Sequence, residues 1–316
     1  MRSPTVSLPA PVIEAVRSLD ASARPERASW LGEGYGAAAY RVPSRSGDWA
    51  VRLPKPRSPW ALGDLEREVR LLELIERAPL AVIVPREATL LRDAAGASIG
   101  TAHRLVPGEP LAEHPVHGRA ERERLAGDIA RFLSTLHAIP VREATRHGAR
   151  ERDLWRDEYA PLLEEVLPQL RPRSREWLRG VADEFVAAGA SSAAPRVLVH
   201  GDLSGHHLLM DNEGALTGVI DFADALIADP AIDFAGILND FPWPFLERVW
   251  RRYAGVLDEG VRQRVRFYIA VAPIYRVVHG ALGRGPEERI AGMRQIAARA
   301  AAAGARGARP GTRTPR

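Results

Sequence analysis

The stretch that most restricts what this chain can fold into is Val199-His200-Gly201-Asp202-Leu203-Ser204-Gly205-His206-His207-Leu208-Leu209, followed by Gly218-Val219-Ile220-Asp221-Phe222. It reads as strand, loop, strand, turn, strand, with short apolar runs separated by turn residues. One carboxylate, Asp202, sits in the first loop, and a second, Asp221, ends the last strand. His207 follows Asp202 by five residues.

His-Gly-Asp-Leu alone is ordinary turn chemistry. The joint pattern is specific. Phosphoryl transfer from a nucleotide needs a base or positioner for the attacking hydroxyl, and two ligands for the Mg²⁺ that neutralises the transferring phosphates. The protein-kinase catalytic loop spaces its Asp and its Mg²⁺-binding Asn by five, with a metal-binding Asp on the next hairpin. The spacing here is the same, with His207 in place of Asn. Asp202 is thus the candidate catalytic residue, orienting and partly deprotonating a substrate hydroxyl. His207 and Asp221 are the candidate metal ligands. Mg²⁺ prefers oxygen, so a second reading of His207 stands beside the first: a histidine that hydrogen-bonds phosphate or backbone. His206 points the other way on an extended segment and is read as structural.

With 316 residues the chain has room for two lobes, each with its own core. No apolar run reaches about eighteen residues, so no transmembrane helix is expected. Met1–Pro11 lacks a basic start followed by an apolar core and is not read as a secretory signal. There are no cysteines, which excludes disulfides and thiolate metal sites and fits a reducing cytoplasm. Of 44 basic residues only Lys55 is lysine. The segment Gly304–Arg316 carries four arginines and no acid, which equals the whole formal charge of +4. It reads as a solvated, disordered tail rather than a nucleic-acid arm. Any cation that meets a nucleotide phosphate must be an arginine or Lys55.

Along the chain, Pro11–Leu19 reads as a helix. Ser29–Val42 reads as a glycine-rich hairpin around Gly32-Glu33-Gly34-Tyr35-Gly36, and Trp49–Leu53 as a strand stopped by prolines. Leu62–Ile75 is helical by its period. Ile83–Val84, Thr89–Leu91 and Ile99–Val106 read as strands. Pro107-Gly108-Glu109-Pro110 marks a domain boundary. Helices are expected over Arg119–His137, Leu154–Leu170 and Arg173–Ala188, then over Phe245–Leu257, Val261–Leu282 and Pro286–Ala303. The expected domains are an N-lobe over 1–106, a C-lobe over 107–303 and a tail over 304–316.

The run from Asp202 to Asp211, with Leu216–Asp224, resembles the antibiotic kinases of the aminoglycoside and macrolide phosphotransferase families, above all the aminoglycoside 2″-phosphotransferases. Gly32-Glu33-Gly34-Tyr35 followed by Ala39-Tyr40, and Asp128–Leu133 with Leu136-His137, carry the resemblance further. It covers most of residues 27–300. It implies an α+β, protein-kinase-like bilobal fold, with a small β-rich N-lobe and a larger, mainly helical C-lobe. It also implies ATP or GTP as phosphate donor, Mg²⁺ as cofactor, and a histidine ligand at His207.

On that resemblance Gly32, Gly34, Tyr35 and Gly36 close over phosphates, where a plain tight hairpin is the rival reading. The family's β3 cation is normally lysine, and the matching position here is Arg52, with Glu68 as its partner carboxylate. Arginine can hold α/β-phosphates bidentately; the rival is a surface salt bridge. His103, Arg104, Leu105 and Val106 form the connector whose backbone meets the base. Asp224 is a second acid of the site, on substrate or metal. Asp229 and Asp233 hold their loop by capping. The 2″ enzymes carry an acidic run after the segment matching Asp233-Phe234, whereas this chain has Asn239-Asp240-Phe241-Pro242-Trp243-Pro244-Phe245. Asp240, Phe241 and Trp243 are read as acceptor-binding, with C-lobe core as the alternative for the aromatics.

The expected protein is an antibiotic kinase that moves the γ-phosphate of ATP or GTP to a hydroxyl of an aminoglycoside. A macrolide kinase, a metabolic kinase for choline, homoserine or a sugar, and a pseudokinase binding module are the alternatives. Its partners are a nucleotide and a small-molecule acceptor, with no nucleic acid and no membrane, and the chain is a monomer or weak dimer.

Overall fold

A computed structural model of the chain describes residues 5–34, 36–55, 61–114, 116, 118–189, 194–281 and 285–307. They fall into two compact units. One is drawn from Met1–Glu151, Val197–Ile227 and Asp240–Gly255, the other from Arg152–Arg196, Ala228–Asn239 and Val256–Arg316. Both sides of the boundary expected at 106/107 belong to the first unit.

The first unit opens with helix α1 (Ala10–Leu19) and a five-stranded antiparallel sheet. Its strands are β1 (Ser29–Glu33), β2 (Ala37–Val42), β3 (Trp49–Pro54), β4 (Thr89–Arg92) and β5 (Ser98–Arg104), in the order β1-β2-β3-β5-β4. Alternation along β3 sorts its side chains. Trp49, Val51 and Leu53 pack with Val12 and Val16 of α1, so Arg52 faces the other way, toward helix α2 (Ala61–Ile75). That parity delivers a charged group to the site while the strand keeps an apolar back. Behind the sheet, the Asp20 carboxylate accepts from Ser22, Ser44, Ser46 and the Trp49 indole. These donors hold its pKa far below the carboxylate range, led by Ser44.

After β5 comes β6 (Glu109–Pro110), which pairs with β8 (Leu208–Met210), and β8 in turn pairs with β9 (Leu216–Val219). The expected strand at Ile83–Val84 is only an isolated bridge, Ile83 to Gly218. Helix α3 (Arg119–His137) has the expected bounds, and its apolar stripe Leu125, Ile129, Phe132, Leu133 and Leu136 is fully buried. A short helix at Val141–Arg146, absent from the sequence expectation, and a helix at Trp243–Trp250 complete this unit.

The second unit is helical, with helices at Ala160–Val166, Pro172–Ala187, Ala231–Asp240, Val261–Val271, Pro273–His279 and Pro286–Gly307. Two expected long helices are broken. Leu154–Leu170 divides into a wide π turn at Trp155–Tyr159, a helix, and a 3₁₀ turn at Leu167–Gln169, because Pro161 and Pro168 lack the amide the ladder needs. Pro273 likewise splits the expected Val261–Leu282; Leu282 itself lies outside the described residues. The helix from Pro286 reaches Gly307, past the expected end at Ala303, because an alanine-rich run propagates readily. The expected tail therefore starts inside a helix, and residues 308–316 lie outside the described residues. Phe185 stacks on Phe267 at 3.9 Å in the core. Among the described residues no helix is long and apolar enough to cross a membrane.

Candidate active site

The loop from His200 to His207 leaves β7 (Val197–Val199) and enters β8. Gly201 is required by its backbone: φ is +86°, and a Cβ there would lie 2.3 Å from the carbonyl oxygen of Asp224. His200 is fully buried. The Asp202 amide donates to His200 Nδ1 at 3.4 Å, so the proton sits on Nε2, which donates to the Ile220 carbonyl at 3.0 Å. One imidazole thereby ties the backbone of Asp202 to the residue before Asp221. The sequence reading gave His200 no role; its place two residues before Asp202 was the only signal.

At the middle of the loop, Gly205 is clamped. Its amide donates to Asp240 Oδ2 at 2.7 Å, and its carbonyl accepts from the Ala112 amide at 2.9 Å. Asp240, expected on the acceptor, thus has one oxygen committed to the loop that carries Asp202.

His207 and Asp221 face each other. Nδ1–H of His207 donates to the Asp202 carbonyl at 2.7 Å, which leaves Nε2 as the unprotonated nitrogen, 3.7 Å from Asp221 Oδ2. Asp221 is one of two described non-glycine residues with positive φ, at +66°. That conformation costs about 1 kcal/mol for an L-residue, and here it turns the carboxylate toward both His207 and Arg52. Its Oδ1 accepts from Arg52 Nη2 at 2.8 Å. Arg52 Nη1 reaches both oxygens of Glu68, at 2.6 and 2.5 Å, and Glu68 also accepts the Phe222 amide at 3.1 Å. The expected alternative of a surface salt bridge is wrong for this pair: the Glu68 side chain is 3% exposed. Burial pushes Asp221 up, but the Arg52 guanidinium outweighs it and holds the carboxyl below its usual range. Burial also pushes Glu68 up, against the pull of Arg52.

Asp202 is the open member, with 61% of its side chain exposed against 34% for Asp221 and 17% for His207. Asp224 is solvent-exposed as a residue, yet its carboxyl sits among other acids. Burial, with the charges of Asp202 and Asp221, pushes it up to about 7. Arg67 lies beneath, donating to the Ala223 carbonyl and to Asp64, each at 2.5 Å.

Among the described residues, no three or more His, Cys, Asp or Glu side chains are grouped to hold a metal ion. The donor set is two groups, His207 Nε2 and the Asp221 carboxylate. Mg²⁺ is usually held by one or two protein groups, with phosphates and water completing its octahedron. The pair therefore fits an ion that arrives with a nucleotide, and does not fit a closed structural metal site.

The hairpin β1–β2 carries the glycine-rich turn. Among the described residues outside its chain neighbours, a Cβ at Gly32 would meet nothing within 4 Å, and one at Gly34 only the Ala37 carbonyl at 4.0 Å; neither has positive φ. The fold leaves both positions roomy, so packing does not demand glycine there. Tyr35 lies outside the described residues. Gly36 is tight, its Cβ position 3.0 Å from Ala61 Cβ. Lys55 donates from Nζ to the Gly34 carbonyl at 2.9 Å.

In the connector, the Arg104 and Leu105 amides donate to the carbonyls of Arg86 and Asp48, at 2.9 and 2.8 Å. Those two amides are committed within the protein. Arg104 also stacks over Trp49, 3.9 Å from its ring centre. His103 is buried, pushed down to about 4 by burial, and Val106 is buried too. Phe241 stacks on buried Phe245 at 4.0 Å, and Trp243 meets Trp250 edge-on at 6.0 Å. Both are half-buried.

Residues 28–268 match the phosphotransferase enzyme family known as APH, and the chain belongs to that family. Viomycin phosphotransferase of Streptomyces vinaceus is 28% identical over 165 residues, 51% of this chain and 56% of that protein. The alignment thus spans little more than half the length of this relative. Among solved structures, the GDP complex of wild-type aminoglycoside 2′-phosphotransferase-IIIa superposes with a TM-score of 0.78 at 25% identity, over 92% of this chain and 98% of the other. Macrolide 2′-phosphotransferase type I shares the fold, with a TM-score of 0.68 at 20% identity over 92% and 99% of the two chains. The β-sheet N-terminal region and helical C-terminal region match the α+β, kinase-like bilobal class expected from the sequence.

Proposed function

We propose that this chain is an antibiotic kinase, transferring the γ-phosphate of ATP or GTP to a hydroxyl of a cationic acceptor, with aminoglycosides as the leading class. The observation that carries this reading is the joint orientation of Asp202, His207 and Asp221. The exposed carboxylate stands beside a histidine whose free nitrogen is 3.7 Å from a charged, conformationally strained aspartate.

Asp202 orients the acceptor hydroxyl and takes its proton. The acceptor oxygen bonds to the γ-phosphorus as the bond from that phosphorus to the β,γ-bridging oxygen breaks, and the nucleoside diphosphate leaves. His207 and Asp221 are the residues that would hold Mg²⁺, whose contribution is to neutralise charge on the transferring phosphoryl oxygens. Arg52 fixes Asp221 for that task and is itself fixed by Glu68. His200 and the Gly205 clamp keep the Asp202 loop in register with Asp221.

A cationic acceptor is supported by the carboxylates of Asp202 and Asp224 and the surplus of acid over Arg52. The aromatics Phe241 and Trp243 already stack on their own neighbours, which favours this class over a macrolide held by an aromatic wall. The similarity to viomycin phosphotransferase adds viomycin to the acceptors worth testing.

The test is product formation from ATP and from GTP, with Mg²⁺, across aminoglycosides, viomycin, macrolides, choline and homoserine. Phosphorylation of an aminoglycoside or viomycin, faster than of any macrolide, choline or homoserine, is the expected result. Turnover confined to macrolides or to small metabolites overturns the acceptor class, and absence of transfer to any hydroxyl overturns the kinase reading.

A further inference from the structure

A nucleoside triphosphate brings several negative charges to a site whose cations are already engaged. Arg52 spends Nη1 on both oxygens of Glu68 and Nη2 on Asp221, so two carboxylates surround one guanidinium. Arg67 is bound to Asp64 and to the Ala223 carbonyl. The local surplus of carboxylate repels phosphate. Beside the Mg²⁺ that His207 and Asp221 would hold, a cation at the glycine-rich turn would offset that repulsion.

Lys55 stands there. Its amide donates to the Gly36 carbonyl at 2.8 Å, which fixes its backbone beside one end of the turn. Its Nζ donates to the Gly34 carbonyl at 2.9 Å and lies 2.7 Å from Glu33 Oε2. The two side chains are 29% and 55% exposed, and an ion pair so exposed to water is weak. Exchange of the Glu33 carboxylate for phosphate oxygens is therefore easy, and the new contacts are charge-assisted. The open space at Gly32 and Gly34 lets phosphate approach this backbone closely.

We propose that Lys55 is a phosphate-contacting residue of the nucleotide site, and that Glu33 is a built-in carboxylate that competes with the nucleotide for it. The proposal rests on the kinase reading above. It makes the two partners of one ion pair act in opposite directions. A lysine that merely pins the turn in shape makes them act in the same direction.

The experiment is calorimetric titration of the full chain with ATP and GTP in the presence of Mg²⁺, and with the corresponding nucleosides. Lys55→Ala is expected to raise the triphosphate Kd about tenfold, the scale of one charge-assisted hydrogen bond, with nucleoside affinity within about twofold of wild type. Lys55→Arg retains most of the affinity. Glu33→Gln is expected to lower the triphosphate Kd about two- to fivefold, because the competitor loses its charge. Weakening by both Lys55→Ala and Glu33→Gln overturns the proposal, as does an equal loss for nucleoside and triphosphate. A second readout needs no variant. Lys55 is the sole lysine, so an amine-directed reagent labels it and the N-terminal amine, and peptide mapping reads the Lys55 peptide separately. Triphosphate is expected to protect it and nucleoside to leave it reactive; labelling unchanged by triphosphate overturns the proposal. Nucleotide binding that ignores Lys55→Ala sinks this inference only, whereas a wild-type chain that binds no triphosphate sinks the kinase reading and this inference together.

Discussion

Two clusters in which a buried or half-buried arginine meets two carboxylates, one around Arg264 and one around Arg52, are built to different ends. In the second unit, Arg264 is 1% exposed and donates Nε to Asp229 at 2.7 Å and Nη1 and Nη2 to Asp258 at 2.7 and 2.6 Å. Asp229 also caps the helix starting at Ala231, accepting that residue's amide at 2.9 Å, in line with the capping role expected from the sequence. In the first unit, Arg52 meets Glu68 and Asp221, but Asp221 keeps Oδ2 clear of Arg52, has positive φ and is about one-third exposed. The closed cluster satisfies its charges and holds a fold together. The open one leaves a strained, ionised oxygen facing His207. On the proposed reading, unspent charge and local strain are what separate the Arg52 cluster from the Arg264 ion pair.

The comparison breaks most visibly at Asp221. Asp221→Asn is expected to lower kcat at least about 100-fold, since loss of a supporting group of a metal site already costs 10–100-fold, while melting temperature stays close to wild type. Steady-state kinetics and a thermal melt on one preparation decide it; a variant that unfolds but turns over normally would make this cluster structural. Arg264→Met is expected to do the reverse. It leaves the buried Asp229 without its partner and destabilises the fold by about 3–5 kcal/mol, with kcat per folded molecule unchanged. Denaturant titration beside kinetics reads both quantities.

The smallest effect concerns pH. Asp224 has its pKa pushed from 3.8 up to about 7, by burial first and then by Asp202 and Asp221. A raised carboxyl pKa stabilises the fold fully below its unfolded value, and the advantage is lost as pH rises toward about 7. Asp224→Asn should therefore be more stable than wild type at pH 8, by less than ~1 kcal/mol given solvent screening, with that gain gone near pH 4. Melting curves at the two pH values check it, and a variant less stable than wild type at pH 8 would contradict it.

The sequence carried the open cluster better than the closed one. Asp202, His207 and Asp221 lie on one loop and the next hairpin, where spacing translates directly into geometry. Arg52 and Glu68 were legible from the family resemblance. Arg264 was not legible, because its partner Asp229 lies 35 residues away and nothing local marks the pair. The Asp240–Gly205 clamp spans the same separation and was not legible either; Asp240 was read as acceptor-binding from the family comparison. Helix edges failed where hydrophobic period ran through Pro161, Pro168 and Pro273, since period follows burial and proline acts on the backbone ladder.

The most direct test of a transferring carboxylate in the open cluster is Asp202→Asn, with nucleotide affinity and transfer rate measured on the same protein. Triphosphate Kd within about twofold of wild type, together with a loss of transfer on the order of 100-fold or more, is the expected result. Transfer at the wild-type rate by Asp202→Asn would contradict it.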